Sequence, residues 1–196
     1  MAVFLVAYDI GGSKPISRVL CYASKRYGVD AILLLGETIS PNVVKWLYEG
    51  CRAKVLGVLG RCDGAAVAQA LKEVGGLVEC KQISVSGVDI YGFGLSGCQP
   101  TTSLKAHLFI SNMPGLNYTC QMPGSDVVDA IVEQISPIAV IAGRSNTPCR
   151  RGIVFSPGSA RRGYFGLLKV EDSKALTSVV HTDLLIVNSI ESNMST

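Results

Sequence analysis

Histidine is scarce in this chain: two in 196 residues, His107 and His181. That excludes a histidine-rich metal centre and leaves little for a Cys–His relay. Charge is sparse as well. Charged residues make up 17% against 48% hydrophobic ones, which is not the composition of a disordered chain. Eighteen basic against 15 acidic residues leave a net charge of only +3, so polyanion binding is permitted and not demanded. Long apolar runs are absent: the longest are about six residues, where a membrane span needs about 20. Met1 to Val6 carries no basic stretch and runs straight into Tyr8-Asp9, so it reads as a buried first strand and not as a secretion signal. No GxxxxGK(S/T) occurs, which excludes a Walker-type phosphate loop and leaves Gly11-Gly12 as a tight turn. No two of the seven cysteines (Cys21, Cys51, Cys62, Cys80, Cys98, Cys120, Cys149) have CxxC spacing, and their number is odd. That argues against a thiolate zinc site and a disulfide framework, and predicts small core residues in a reducing, cytoplasmic setting.

What is present reads as one domain over residues 1–190, followed by a polar tail at 191–196. A chain of this size buries roughly 70% of its unfolded surface and needs no covalent staple to fold. Apolar strand and amphipathic helix alternate through the first 75 residues. Strands are expected at Ala2–Ala7, Ala31–Leu35 and Lys54–Leu59, and helices at Pro15–Tyr27, Pro41–Cys51 and Ala65–Val74. Two of these helices open on proline, which suits a first turn, and Ser40 is placed to cap the second. This βαβαβα order predicts parallel strands. After Gly75-Gly76 come short, closely spaced strands: Leu77–Cys80, Gln82–Ser86, Val88–Phe93 and His107–Ser111. A helix at Asp126–Gln134, capped by Ser125, and strands at Ile138–Ala142, Gly152–Phe155, Tyr164–Val170 and Leu176–His181 complete the pattern. The fold class is an α/β sandwich of two mixed β-sheets flanked by helices.

The polar residues gather in the loops at strand ends, the usual ligand edge of an α/β sheet. In order they are Asp9-Ile10-Gly11, Gly36-Glu37, Gly60-Arg61-Cys62-Asp63, Ser111-Asn112 and Gly143-Arg144-Ser145-Asn146, followed by the turn Ser156-Pro157-Gly158-Ser159. This series resembles the calcineurin-like metallophosphoesterase family, especially its small single-domain archaeal and bacterial members. The family pattern runs DxH, GD, GNHD or GNCD, a strand ending in SH, GHxH, and an NPGS-type turn. Val88–Gly94 (VDIYGFG) is also similar to the strand that follows the family's third helix. The resemblance spans roughly residues 3–170 and implies the family's metallophosphoesterase-like sandwich.

In the family those motif residues hold two metal ions that activate water and clamp a phosphate. Of the metal-holding residues of DxH, GD, SH and GHxH and the GNHD asparagine, only Asp9 is kept here as the family has it. Gly11 stands for the DxH histidine, Glu37 for the bridging aspartate, Arg61 and Cys62 for the GNHD asparagine and histidine, Asn112 for the SH histidine, and Arg144 and Asn146 for the GHxH histidines. A longer glutamate moves its oxygens by about 1.5 Å where ligand distances tolerate about 0.2 Å. Asparagine is a poor transition-metal ligand, and a guanidinium cannot ligate at all. No metal cofactor is therefore expected. The alternative is a single divalent ion, such as manganese or zinc, on Asp9, Glu37 and Asp63.

Three readings of this edge follow. In the first, Arg61 and Arg144 replace the metals as counter-charges for Asp9, Glu37 and Asp63. In the second, the two arginines hold a phosphate, with Asn112 or Asn146 donating. In the third, the carboxylates keep one metal and residual hydrolysis. Cys62, beside Arg61 and a helix start, is a candidate nucleophile only if its pKa is lowered, and neither His107 nor His181 falls in a site loop. Arg150, Arg151, Arg161 and Arg162 form a solvated face or a contact for RNA, DNA or an acidic protein. The resemblance also supplies a precedent for non-catalytic use, a retromer subunit that serves as an interaction scaffold. The expectation is a catalytically inactive binding or scaffolding module with a protein partner and no membrane span. A divergent phosphoesterase or phosphate binder is the alternative.

Overall fold

The computed structural model describes residues 1–95, 97, 104–117 and 123–185. The elements are β1 (Ala2–Ala7), α1 (Lys14–Tyr27), β2 (Ala31–Leu34), α2 (Pro41–Cys51), β3 (Lys54–Gly57), α3 (Ala65–Glu73), β4 (Gln82–Val85), β5 (Val88–Phe93), β6 (Leu108–Ser111), α4 (Asp126–Ile135), β7 (Ala139–Ala142), β8 (Cys149–Arg151), β9 (Val154–Ser156), the 3₁₀ turn η1 (Ala160–Arg162), β10 (Tyr164–Glu171) and β11 (Lys174–His181). Local chemistry sets the helix starts. The Ser13 hydroxyl accepts from the Ile16 amide and the Ser40 hydroxyl from the Asn42 amide, each beside a proline in the first turn. At its other end α1 stops at Gly28, whose left-handed φ of 61° turns the chain towards β2.

Two sheets form. One has the order β11-β10-β1-β2-β3 and the other β4-β5-β6-β7-β9-β8. In the first, β1 pairs parallel with β2 and antiparallel with β10, so the sheet is mixed. Alternation along β1 then decides the layers. Val3, Leu5 and Ala7 pack towards the layer of α1, α2 and α3, whereas Phe4 and Val6 face the second sheet, meeting a core with Ile90, Leu108, Ile110, Ile141 and Phe155. On the far side, Phe109 and Val140 pack with Val128, Ile131 and Val132 of α4. The result is an α/β sandwich of two mixed sheets flanked by helices, with the carboxyl ends of β1, β2 and β3 bringing their loops to one edge. Among the described residues no helix is long and apolar enough to cross a membrane.

Three expectations are corrected. Leu77–Cys80 is not a strand: Leu77 and Glu79 make only isolated bridges, to Gly57 and Gly92. Gly152 does not open a strand but turns a hairpin, at φ 57°, between β8 and β9; the polar edge strand β8 carries no alternation that would mark it. The largest correction concerns the cysteines. Cys21 and Cys51 form a disulfide joining α1 to α2, and Cys80 and Cys149 are also disulfide-bonded. Cysteine count and CxxC spacing are blind to a pair 30 residues apart in sequence that helix packing brings together. Disulfides persist in oxidising compartments, so the argument for a reducing setting falls. The tail at 191–196 lies outside the described residues.

Candidate functional site

Asp9 lies two residues past the end of β1 and is 6% exposed. Its φ of 59° is left-handed, as are those of Glu37 at 56° and Arg144 at 62°; these are uncommon conformations for non-glycine residues. Backbone bonds hold the loops in them. The Asp9 amide donates to the Gly36 carbonyl at 3.3 Å, Gly11 to Glu37 at 3.1 Å and Gly12 to Thr38 at 2.9 Å. The loops after β1 and β2 are thus sewn together. Asn112, at the end of β6 in the other sheet, is 3% exposed and donates from Nδ2 to the Leu35 carbonyl at 3.0 Å. It fits there because Gly36 and Gly60 flank it: a Cβ on either would lie 2.5 or 2.8 Å from Nδ2.

Each carboxylate of this edge already has partners. Asp9 Oδ2 accepts from the Ser159 hydroxyl at 2.6 Å, and Oδ1 accepts from Arg161 Nε at 2.8 Å. Glu37 accepts from the amides of Arg61 at 3.2 Å and Cys62 at 3.0 Å. Asp63 accepts from the amides of Ile39 at 2.7 Å and Gly60 at 2.8 Å, closing its own loop onto the one after β2. Burial raises the Asp63 pKa despite these bonds. Tyr8 is pushed up to about 12, first by burial and then by the Glu37 and Asp9 charges.

The counter-charge of Asp9 is therefore Arg161, from η1, and not Arg61 or Arg144. Arg61 is exposed, and Arg144 is half-buried with its Nη1 4.0 Å from the Met113 sulfur. Neither pairs with an acid among the described residues. Asn146 is exposed and contributes its backbone carbonyl to the Ser159 amide. Cys62 is an exposed free thiol whose pKa is raised, first by its hydrogen bond to Glu37 and then by that residue's charge. That is the opposite direction to the one a Cys62 nucleophile would need. His107 lies near Asp89 at 3.8 Å; His181 lies near Asp183 at 3.3 Å and, with Nε2 3.1 Å from the Arg162 carbonyl, borders η1. Arg150, Arg151, Arg161 and Arg162 are all exposed, and what sets Arg161 apart is its pair with Asp9.

Gly11 explains why Arg161 can reach. A Cβ there would lie 2.5 Å from Arg161 Cδ and 3.1 Å from its Nε. The arginine occupies the space in which the resemblance places the DxH histidine. Among the described residues no three His, Cys, Asp or Glu side chains converge as a metal-ligand set. The donor chemistry agrees. One carboxylate is paired to a guanidinium, two are spent on backbone amides, and the remaining motif positions are Gly, Arg and Asn. These residues do not fit a two-metal centre.

No protein-family model matches the chain, and no curated protein matches it. Solved structures do. The protein TT1561 of Thermus thermophilus is 14% identical with a TM-score of 0.71, covering 92% of this chain and 99% of its own. A novel archaeal phosphodiesterase is 14% identical with a TM-score of 0.63, covering 91% and 99%. Vacuolar Protein Sorting 29 of Cryptosporidium parvum is 12% identical with a TM-score of 0.56, covering 91% and 96%. The chain has the metallophosphoesterase-like fold. That fold is shared by enzymes and by a protein-sorting component, so it does not decide the activity.

Sequence reasoning found the loops and missed the pairing. Ser159 was visible in the NPGS-like turn, but Arg161 read as one of four surface arginines. The signal that could have found it is compensation: a glycine where a histidine is expected, together with a new arginine just past a turn that returns to the same edge.

Proposed function

We propose that this chain is a binding or scaffolding module on a metallophosphoesterase-like fold, without phosphoesterase turnover, and that its partner is a protein. The observation that carries this reading is the Arg161 guanidinium on Asp9. A permanent positive charge 2.8 Å from the one family-type ligand takes the place a divalent ion would need. The sequence-level likeness to a scaffold-type use of this fold supports it, as does the structural likeness to a sorting protein. Disulfide bonding at Cys21, Cys51, Cys80 and Cys149 favours an oxidising setting over the cytoplasm.

A second reading rests on Arg61 and Arg144. Both lie in loops of the site edge without an acidic partner among the described residues, which favours a phosphate-bearing ligand. The test is a melting-temperature titration of metal-stripped protein with manganese, zinc and, separately, phosphate, alongside a phosphodiester hydrolysis assay. A ligand that binds the folded state alone stabilises it by about 2.7 kcal/mol at 100 times its dissociation constant. No shift and no turnover agree with the binding module. A shift with phosphate alone supports the second reading. Manganese-dependent turnover abolished by Asp9→Asn overturns both.

A further inference from the structure

On the opposite face from the sheets, α1 and α2 leave a groove of about 490 Å³ between them. Its lining is mostly apolar, with Cys21, Tyr22, Trp46 and Gly50, and its walls carry Lys14, Arg18 and Lys25 against the single acid Glu49. Helix α1 has Lys14, Arg18, Lys25 and Arg26 and no acidic residue, in a chain whose net charge is +3. A second cavity, which shares Lys25 with the groove, is lined by Ser24 and Arg52. Ser24 is 2% exposed, and its hydroxyl has no hydrogen-bond partner. The Cys21–Cys51 disulfide fixes one helix against the other, so the groove is preorganised.

We infer that this groove docks an acidic amphipathic helix of a partner protein. The inference rests on reading the chain as a binding module and names a surface and partner chemistry for it. A groove between two helices accepts a third helix as a ridge, through apolar residues at i, i+3, i+4 and i+7. α1 has 14 residues, about 21 Å at 1.5 Å per residue, so about four turns of partner helix lie along it. Charge complementarity selects the acidic partner: glutamates flanking its apolar stripe face Lys14, Arg18, Lys25 and Arg52. Single-stranded nucleic acid, the other polyanion, requires open aromatic faces for stacking. Here the Lys14 ammonium sits over the Trp46 ring, 5.4 Å from its centroid.

Trp46 is the only tryptophan in the chain, so its emission reports the groove directly. The probe is a fluorescein-labelled peptide of about five helical turns, with leucine at the i, i+3, i+4, i+7 spacing and glutamate elsewhere. We expect saturable binding that shifts Trp46 emission and weakens between about 0.03 and 0.3 M salt. Arg18→Glu/Lys25→Glu, which leaves the Lys14–Trp46 contact in place, weakens it about tenfold. A peptide with lysine for every glutamate should not bind. The proposal is overturned by no Trp46 response up to about 1 mM peptide, by binding that ignores the charge reversal, or by an oligothymidylate that outcompetes the peptide. Assaying the same preparation for phosphodiester hydrolysis separates the two claims. Turnover removes the binding-module reading, whereas a silent groove without turnover removes only the docking site.

Discussion

Gly11 and Arg161 make a reciprocal pair, and a double-mutant cycle exposes it. Gly11→Ala places a Cβ 2.5 Å from Arg161 Cδ, too close for any real contact. Cδ is bonded to the Nε that donates to Asp9 at 2.8 Å, so the side chain cannot swing away and keep that bond. Losing a hydrogen bond to a charged group costs about 1.5–3 kcal/mol; a value near 2 suits an arginine whose side chain is 60% exposed against an aspartate side chain that is 9% exposed. The left-handed φ of 66° at Gly11 adds about 1 kcal/mol for alanine. Gly11→Ala should therefore destabilise by about 3 kcal/mol, a fall in melting temperature of about 6–12 °C for a domain of this size. Arg161→Ala alone should cost about 2 kcal/mol, because Asp9 stays buried with only Ser159. The double variant should cost no more than Gly11→Ala, giving a coupling of about 2 kcal/mol. Urea unfolding of the four proteins measures it. Additive effects would refute the energetic coupling between the bare Cα at position 11 and the arginine at 161.

Other consequences are separately testable. Replacing Cys21 and Cys51 together by alanine releases a bridge across 30 residues; the chain-entropy relation gives a loss of about 3–4 kcal/mol, visible as a lower urea midpoint that reducing agent does not further explain at this pair. Cys62 should alkylate slowly with iodoacetamide near pH 8, because Glu37 stabilises its protonated form. Glu37→Gln should speed it, and an unchanged rate would remove that cause. Burial raises the Asp63 pKa in the fold, so the folded state holds that proton more tightly than the unfolded chain. Its contribution to stability is therefore full below the unfolded value of about 3.9 and declines as pH rises through the raised folded value. Subtracting the Asp63→Asn stability curve from that of the natural protein should isolate this downward slope.

The half of the fold built from local alternation was legible. Proline at the head of α1 and α2, serine before each, and apolar strands between them are signals within a few residues of their effect. The second half was less so. β8 reads Cys-Arg-Arg and is recognisable only through its antiparallel partner β9, and Leu77–Cys80 has strand composition but little ladder to join. At the site, the loops were legible because each follows a strand. Which arginine neutralises Asp9 was not, since Arg61 and Arg144 are the motif substitutions and Arg161 is 152 residues away in sequence. Distance along the chain also hid the Cys21–Cys51 bond. In both cases the deciding quantity is the docking of two elements.

That docking gives Asp9 a structural task. β9 belongs to one sheet and β10 to the other, and the chain crosses between them through Ser159 and η1. The crossing is fastened to the end of β1. The Ala160 amide donates to the Tyr8 carbonyl at 2.8 Å and the Arg161 amide to the Asp9 carbonyl at 3.2 Å, while the Asp9 side chain holds Ser159 and Arg161. A carboxylate that needed only to be neutral could have become asparagine or alanine. As a carboxylate it accepts from two donors of the crossing at once. Asp9→Asn should then loosen the crossing locally before it unfolds the protein. Amide exchange at Arg162, Gly163 and Tyr164, which are bonded to Ser159 and Ala160, should accelerate about tenfold for each ~1.4 kcal/mol lost, while the Phe4 and Leu33 amides in the sheet centre keep the rate set by global stability. Uniform acceleration over both regions would show that Asp9 contributes only general stability and that the crossing does not depend on it.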